Sequence, residues 1–174
     1  MRALIVATSC NRLPSGHPTG LWAEEFAVPY MTLTDAGVDV VVASPSGGAV
    51  PVDEKSKPSQ SDAKEWAPAL VALQSTVALQ SVANEEFDLI FLPGGHGPLV
   101  DLAGDATLRD MLARQDAAGR LMRNIGRGGA AIWPVMRAMA CFTRSRSAVN
   151  GIAGVPRPKA TTANRSDADN RSMN

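Results

Sequence analysis

The segment Phe87-Asp88-Leu89-Ile90-Phe91-Leu92-Pro93-Gly94-Gly95-His96-Gly97 decides the fold class. Its first half, residues 87–92, is a short apolar run of the kind that forms a strand buried on both faces of a parallel sheet. A proline and two adjacent glycines end this run, which predicts an abrupt turn at the carboxyl end of the strand. Adjacent glycines let backbone N–H groups approach a ligand closely, so this turn is the first candidate binding site.

The same pattern recurs on the N-terminal side of this segment. Residues 3–7 and 38–43 are apolar runs that predict two further buried strands. Three helices are expected: from a cap at Thr19 to a stop at Gly37, over residues 62–73 after a polar connection (53–61), and from a cap at Asp105 to Gly119. This alternation of strands and helices predicts an α/β protein with a doubly wound parallel sheet. In such sheets ligands bind beyond the carboxyl ends of the strands.

Composition excludes several classes of protein. Hydrophobic residues make up 45% of the 174 residues and charged residues 20%, as is usual for a globular domain. The longest apolar runs are too short to cross a bilayer, and no cleavage site follows the first strand, so no membrane association and no signal peptide are expected. Two isolated cysteines, Cys10 and Cys141, suit a reducing compartment, which predicts a cytoplasmic protein.

Charge divides the chain near residue 119. Residues 1–119 hold seven basic and 15 acidic residues, whereas residues 120–174 hold ten basic and two acidic ones. The next strand of the sheet is due at residues 120–125. Burying the side chains of Arg123 and Asn124 there without partners would cost on the order of several kcal/mol. The sheet is therefore expected to be incomplete at its C-terminal end. We expect a domain over residues 1–142 and a basic, disordered tail over 143–174. Nucleic-acid binding by this tail is disfavoured because its arginines lack aromatic partners.

Three side chains could carry chemistry near the strand ends. Glu25 lies inside the apolar arc of the first helix, where a carboxyl group has a raised pKa suited to proton transfer. Periodicity alone leaves open the alternative that Glu25 reaches water at the rim of the domain. His96 could carry a proton, although a lone loop histidine is more often solvated. Cys10 could be reactive, although an ordinary loop cysteine is favoured. No metal-ligand spacing is present, so no metal or other cofactor is expected.

Several motifs together resemble the ThiJ/PfpI family of the class I glutamine-amidotransferase-like superfamily. Within it, the similarity is to the branch of glutathione-independent glyoxalases (glyoxalase III) and chaperone-like stress proteins. The resemblance covers residues 2 to about 119, in order and with family-like spacing. The matching segments are TGLWAEE (19–25), PY (29–30), ASPSGG (43–48), PVD (51–53) and FLPGGHG (91–97).

This resemblance implies a flavodoxin-like fold, often dimeric, and a specific chemistry. Family members of this branch carry a nucleophilic cysteine in an apolar-Cys-His-Gly-Pro elbow, which attacks the aldehyde of methylglyoxal. A buried glutamate, matched by Glu25, then moves a proton, and D-lactate leaves without an external cofactor. The backbone N–H groups of Gly94 and Gly95 match the oxyanion site, and His96 belongs to the same substrate-binding turn.

The chain departs from the family at this elbow. Aligned without gaps from Gly119, Gly126 stands at the position of the cysteine and Arg127 at that of the histidine. Two accounts remain open: an inactivated family member, or a reading frame that shifts near residue 120. Either way, we expect little or no glyoxalase activity, and a non-catalytic, chaperone-like stress function is the alternative.

Overall fold

The computed structural model describes residues 1–125. These residues form one parallel sheet of five strands, in the spatial order β3-β2-β1-β4-β5. The strands are β1 (Arg2–Val6), β2 (Asp39–Ser44), β3 (Val77–Ala78), β4 (Leu89–Leu92) and β5 (Leu121–Asn124). The helices are α1 (Ala23–Asp35), α2 (Gln60–Glu65), α3 (Ala67–Ala72), α4 (Gly97–Val100) and α5 (Ala106–Ala117), with 3₁₀ turns at Glu54–Ser56 and Leu79–Val82.

Helices cover both faces of the sheet, which confirms the predicted doubly wound, flavodoxin-like α/β fold. Residues 3–6 of the central strand β1 are buried completely. Because successive side chains of a strand point to opposite faces, Leu4 joins a core that includes Met111 of α5, whereas Ile5 joins a core that includes Phe26 of α1. The continuous apolar runs of the sequence therefore reflect strands enclosed on two sides.

Helix α1 begins three residues later than the sequence suggests. Thr19 is not its N-cap, because residues 20–22 are extended and pair with two other loops; the N-cap is Trp22. Thr19 is instead buried, and its hydroxyl has no hydrogen-bond partner within residues 1–125. The predicted stop at Gly37 is confirmed: its φ is +74°, and its N–H donates to the carbonyl of Thr34.

The helix predicted over residues 62–73 is two short helices. Helix α2 starts two residues earlier, at Gln60, and is capped by the hydroxyl of Ser59; it ends at Glu65, with Trp66 as its C-cap. Pro68 then occupies the first turn of α3, where its missing N–H is not needed. The proline thus explains why one continuous helix does not form.

A fifth strand is present where the sequence pattern was expected to fail. Residues 121–124 of β5 pair in parallel with β4 over its whole length. The anticipated cost of burying Arg123 does not arise, because this side chain is exposed while Met122 packs against the core. Within residues 1–125, β5 is the outermost strand on its side.

No helix in this described part of the chain is long and apolar enough to cross a membrane. Gly126, Arg127 and the tail predicted over residues 143–174 lie outside the described residues.

Candidate active site

The candidate site is built where the start of helix α1 meets the turn after β4, called here the glycine turn (residues 93–97). Leu21 lies in extended backbone between two other segments, bridging Val52 on one side and Gly95 on the other. The Leu21 N–H donates to the carbonyl of Pro51 at 2.8 Å, and the next N–H, of Trp22, donates to the carbonyl of Gly94 at 3.1 Å. Three sequence-distant segments are therefore joined at the carboxyl end of the sheet, where ligands bind in folds of this type.

Glu25 is bound directly to the glycine turn. Its Oε2 accepts a hydrogen bond from the Gly94 N–H at 2.9 Å. Glu25 is the third residue of α1, the position from which a glutamate often bonds back to the N–H of the N-cap residue. Here the N-cap N–H, that of Trp22, is bound to Gly94 instead. Both backbone polar groups of Gly94 therefore engage the first turn of α1, and the carboxylate is fixed beside the turn.

Burial raises the pKa of Glu25 above its ordinary value. The hydrogen bond from Gly94 acts in the opposite direction, because it stabilises the carboxylate, and the nearby charge of Glu24 adds to the rise. The Glu25 side chain is half-buried, so the carboxyl group is partly desolvated yet open to exchange a proton. These are the properties of an acid or base that works closer to neutral pH. The structure places this carboxylate against Gly94, and its role in proton transfer stays a prediction.

Only glycine fits at position 95. Its φ is +115°, and a Cβ there would lie 2.4 Å from the Gly20 carbonyl oxygen and 2.9 Å from the Trp22 nitrogen. The glycine pair therefore permits the close backbone approach that the sequence indicates, although the approach is to the chain's own loop.

The two glycine N–H groups differ in what they can bind. The N–H of Gly94 is taken by Glu25. The N–H of Gly95 has no acceptor within residues 1–125, and this residue is partly exposed. Of the predicted oxyanion pair, Gly95 is thus the donor that is open to a ligand in the described part of the chain.

His96 and Cys10 are less closely integrated. His96 is exposed, and as the N-cap residue of α4 it makes no side-chain capping hydrogen bond. Cys10 is held in the loop after β1, with its Sγ 3.2 Å from the carbonyl oxygen of Arg12. This thiol is therefore turned toward its own loop. Gly126 and Arg127 lie beyond the described residues, so the structure does not bring them to this site.

Two residues that position the site could not be predicted from the sequence. Asp101, the C-cap residue of α4, accepts hydrogen bonds from the Thr8 hydroxyl and from the N–H groups of Ser9 and Cys10, which fixes the loop after β1. Ser56 accepts a hydrogen bond from the Ala23 N–H at the start of α1. Both act over long sequence separations, and no local pattern indicates either contact.

Fold and site together define an α/β protein of the flavodoxin-like class with an acidic residue at the strand ends. A family model described as DJ-1/PfpI matches residues 19–149, which is most of the chain and includes Gly126 and Arg127. The chain belongs to the DJ-1/PfpI family. The match continues beyond residue 119, where the resemblance of individual motifs ends.

Solved structures agree with this assignment. One protein of known crystal structure, which carries only a target designation, is 40% identical in sequence to this chain with a TM-score of 0.67. The match covers 75% of this chain and 58% of that protein. The Rapid Encystment Protein 24 kDa of Francisella tularensis is 27% identical with a TM-score of 0.68, over 77% of this chain and 62% of its own. Glyoxalase III of Candida albicans shares the fold at 21% identity and a TM-score of 0.65, over 76% of this chain and 59% of its own. The chain thus spans about three fifths of these structures. No protein with a curated description matches significantly.

Proposed function

We propose that Glu25 and the glycine turn bind and polarise a small reactive aldehyde such as methylglyoxal, and that turnover is slow because position 126 holds glycine. The observation that carries this proposal is the half-buried Glu25 carboxylate, anchored on the Gly94 N–H beside the open N–H of Gly95. A proton carrier next to a backbone donor suits a carbonyl substrate, since the donor stabilises negative charge on the oxygen. Membership of the DJ-1/PfpI family, whose structures include a glyoxalase III, supports the substrate class.

The overall conversion of methylglyoxal to D-lactate adds one water and moves hydrogen from the aldehyde carbon to the neighbouring ketone carbon. In the chemistry that the family resemblance implies, a thiolate adds to the aldehyde and a glutamate moves the proton between the two carbons. Water then releases lactate from the enzyme. In this chain Glu25 and Gly95 would serve the proton transfer and the carbonyl oxygen, but Gly126 offers no thiolate.

Loss of a nucleophile removes many powers of ten in rate. Where a nucleophile is deleted in other enzymes, the remaining binding and oxyanion groups retain roughly 10³–10⁴ over the reaction in water. The proposal therefore expects weak, Glu25-dependent conversion and clear binding.

The test is D-lactate formation from methylglyoxal by the full chain, the Glu25→Gln variant and a Gly126→Cys/Arg127→His double variant. We expect slow conversion that Glu25→Gln lowers further, and faster conversion by the double variant. Strong activity in the unmodified chain that Cys10→Ser abolishes would contradict the proposal and make Cys10 the nucleophile. Equal rates of D-lactate formation in the full chain and in Glu25→Gln would show that Glu25 takes no part in the reaction.

A non-catalytic stress function of chaperone-like type is the second candidate, and the glycine at position 126 is the observation that favours it. It is tested by suppression of aggregation of a heat-denatured client protein. Suppression that is equal in the full chain and in Glu25→Gln, without any binding of methylglyoxal, would favour this function over the first.

A further inference from the structure

Helix α1, which carries Glu25, has no cap of its own. The first N–H groups of a helix lack partners within the helix, and a serine, threonine, aspartate or asparagine at the N-cap usually supplies one. The N-cap residue here is Trp22, which makes no side-chain capping bond. The acceptor for the Ala23 N–H therefore has to come from elsewhere in the chain.

Ser56 is that acceptor. Its Oγ lies 3.0 Å from the Ala23 nitrogen, across 33 residues of sequence. The same hydroxyl lies 2.9 Å from the Asp53 carbonyl oxygen and 3.3 Å from that of Leu21, so its proton is directed away from the helix and its lone pair faces the Ala23 N–H. The serine is thus oriented as a helix cap.

The 3₁₀ turn that carries Ser56 is itself fixed. The Asp53 side chain caps this turn by accepting from the Lys55 N–H at 3.0 Å. The Asp53 N–H in turn donates to the carbonyl of Leu21 at 2.8 Å. Ser56 is therefore held to the same extended segment that leads into α1, and the cap cannot move without this segment.

We propose that Ser56 is a positioning residue that caps helix α1 from a distant loop and thereby holds Glu25 against Gly94. Ala23 is the first residue of the helix and Glu25 the third, so both belong to one turn. Opening of that turn withdraws the Glu25 carboxylate from the Gly94 N–H. The geometric part of this inference stands alone, and its catalytic importance rests on the function proposed above for Glu25.

The experiment is amide hydrogen exchange, measured by NMR at Ala23 and Gly94 in the full chain and in Ser56→Ala. Loss of a helix cap shifts a local opening equilibrium by about fivefold, so both amides should exchange about fivefold faster. Ser56→Thr keeps the hydroxyl and should restore slow exchange at both positions. Ser59→Ala is the matched control, because it removes a cap from α2, which does not carry Glu25, and should leave both amides unchanged.

A purely local role would give a different pattern. Faster exchange at Ala23 with unchanged exchange at Gly94 would overturn the proposal, as would no change at either amide. If Ser56→Ala does not fold, Ser56→Cys replaces the hydroxyl by a slightly larger thiol that is a weaker acceptor, and should accelerate the same two amides to a smaller extent. Unchanged amides in Ser56→Cys would then count against the proposal.

A second readout separates this inference from the proposed function. The Glu25 carboxyl group, followed by carbon-13 NMR, should titrate closer to the ordinary value for glutamate in Ser56→Ala, because the side chain is then more hydrated. If the chain neither binds nor converts methylglyoxal while the Gly94 amide and the Glu25 titration respond to Ser56→Ala, the proposed function fails and the positioning role stands. If the chain binds methylglyoxal but the Gly94 amide does not respond to Ser56→Ala, the positioning role fails and the proposed function stands.

Discussion

Replacing Gly95 by alanine tests the packing that forms the candidate site. At φ +115° an alanine is strained, which costs about 1–3 kcal/mol. Its Cβ would also lie 2.4 Å from the Gly20 carbonyl oxygen and 2.9 Å from the Trp22 nitrogen, both backbone atoms. Backbone has to shift to relieve these contacts, and overpacking of this kind costs a further 1–3 kcal/mol or so. We therefore expect Gly95→Ala to lower the free energy of unfolding by about 2–6 kcal/mol, the sum of these two costs.

Gly37→Ala is the matched control. Gly37 has a φ of +74°, and a Cβ there would meet no atom within 4 Å, so only the conformational cost of about 1–2 kcal/mol applies. Both variants are compared with the full chain by urea unfolding, followed by circular dichroism and tryptophan fluorescence. If Gly95→Ala is no less stable than Gly37→Ala, the close approach of the glycine turn to residues 20–22 is wrong, and so is the basis for placing Glu25 beside Gly94.

Three further predictions concern single side chains. Folding raises the pKa of Glu25 above its ordinary value of 4.5. The full chain should therefore lose stability relative to Glu25→Gln as the pH rises from about 4.5 through the folded-state pKa, and the difference should level off above it. Urea unfolding at a series of pH values measures this difference, and a relative gain in stability over the same range would show a lowered pKa instead. Asp101→Ala removes the acceptor of the Thr8 hydroxyl and of the Ser9 N–H, and leaves the Cys10 N–H with the Thr8 hydroxyl oxygen alone. The free energy of unfolding should fall by about 1–3 kcal/mol, and Cys10 should react faster with an alkylating reagent. An unchanged alkylation rate would contradict this prediction. Phe26→Ala should lower the free energy of unfolding by about 3–5 kcal/mol, because Phe26 is completely buried between α1 and the sheet. Thermal unfolding measures this change, and a decrease below about 1 kcal/mol would contradict the core assignment.

Strands β1, β2 and β4 could be predicted because each contains an unbroken apolar run. A strand that is buried on both faces has apolar residues at successive positions and not at alternate ones, so it stands out in the sequence. The loops rich in glycine and proline mark where such strands end. Strand β5 escaped prediction for the opposite reason. Arg123 is exposed, and a strand with such a side chain does not look like a central strand of a parallel sheet.

The candidate site was only partly predictable. The helical period places Glu25 on the apolar side of α1 but does not say which group its carboxylate meets, and the Gly94 N–H is distant in sequence. Thr19 has the residue type of an N-cap, yet pairing of Leu21 with Val52 and Gly95 holds the backbone extended past it. The serine that caps α1 follows the Asp53 motif, and local sequence rules cannot find a cap that lies in another loop.

The central claim is that the glycine turn and Glu25 form a site for a small carbonyl compound. The most direct measurement is a nitrogen-15 NMR titration of the full chain with hydroxyacetone, a carbonyl compound that lacks the reactive aldehyde of methylglyoxal. We predict saturable shifts of the Gly95 amide and of its neighbours in the glycine turn, and weaker binding by Glu25→Gln. A Gly95 amide that does not respond, or an equal response with and without Glu25→Gln, would contradict the account.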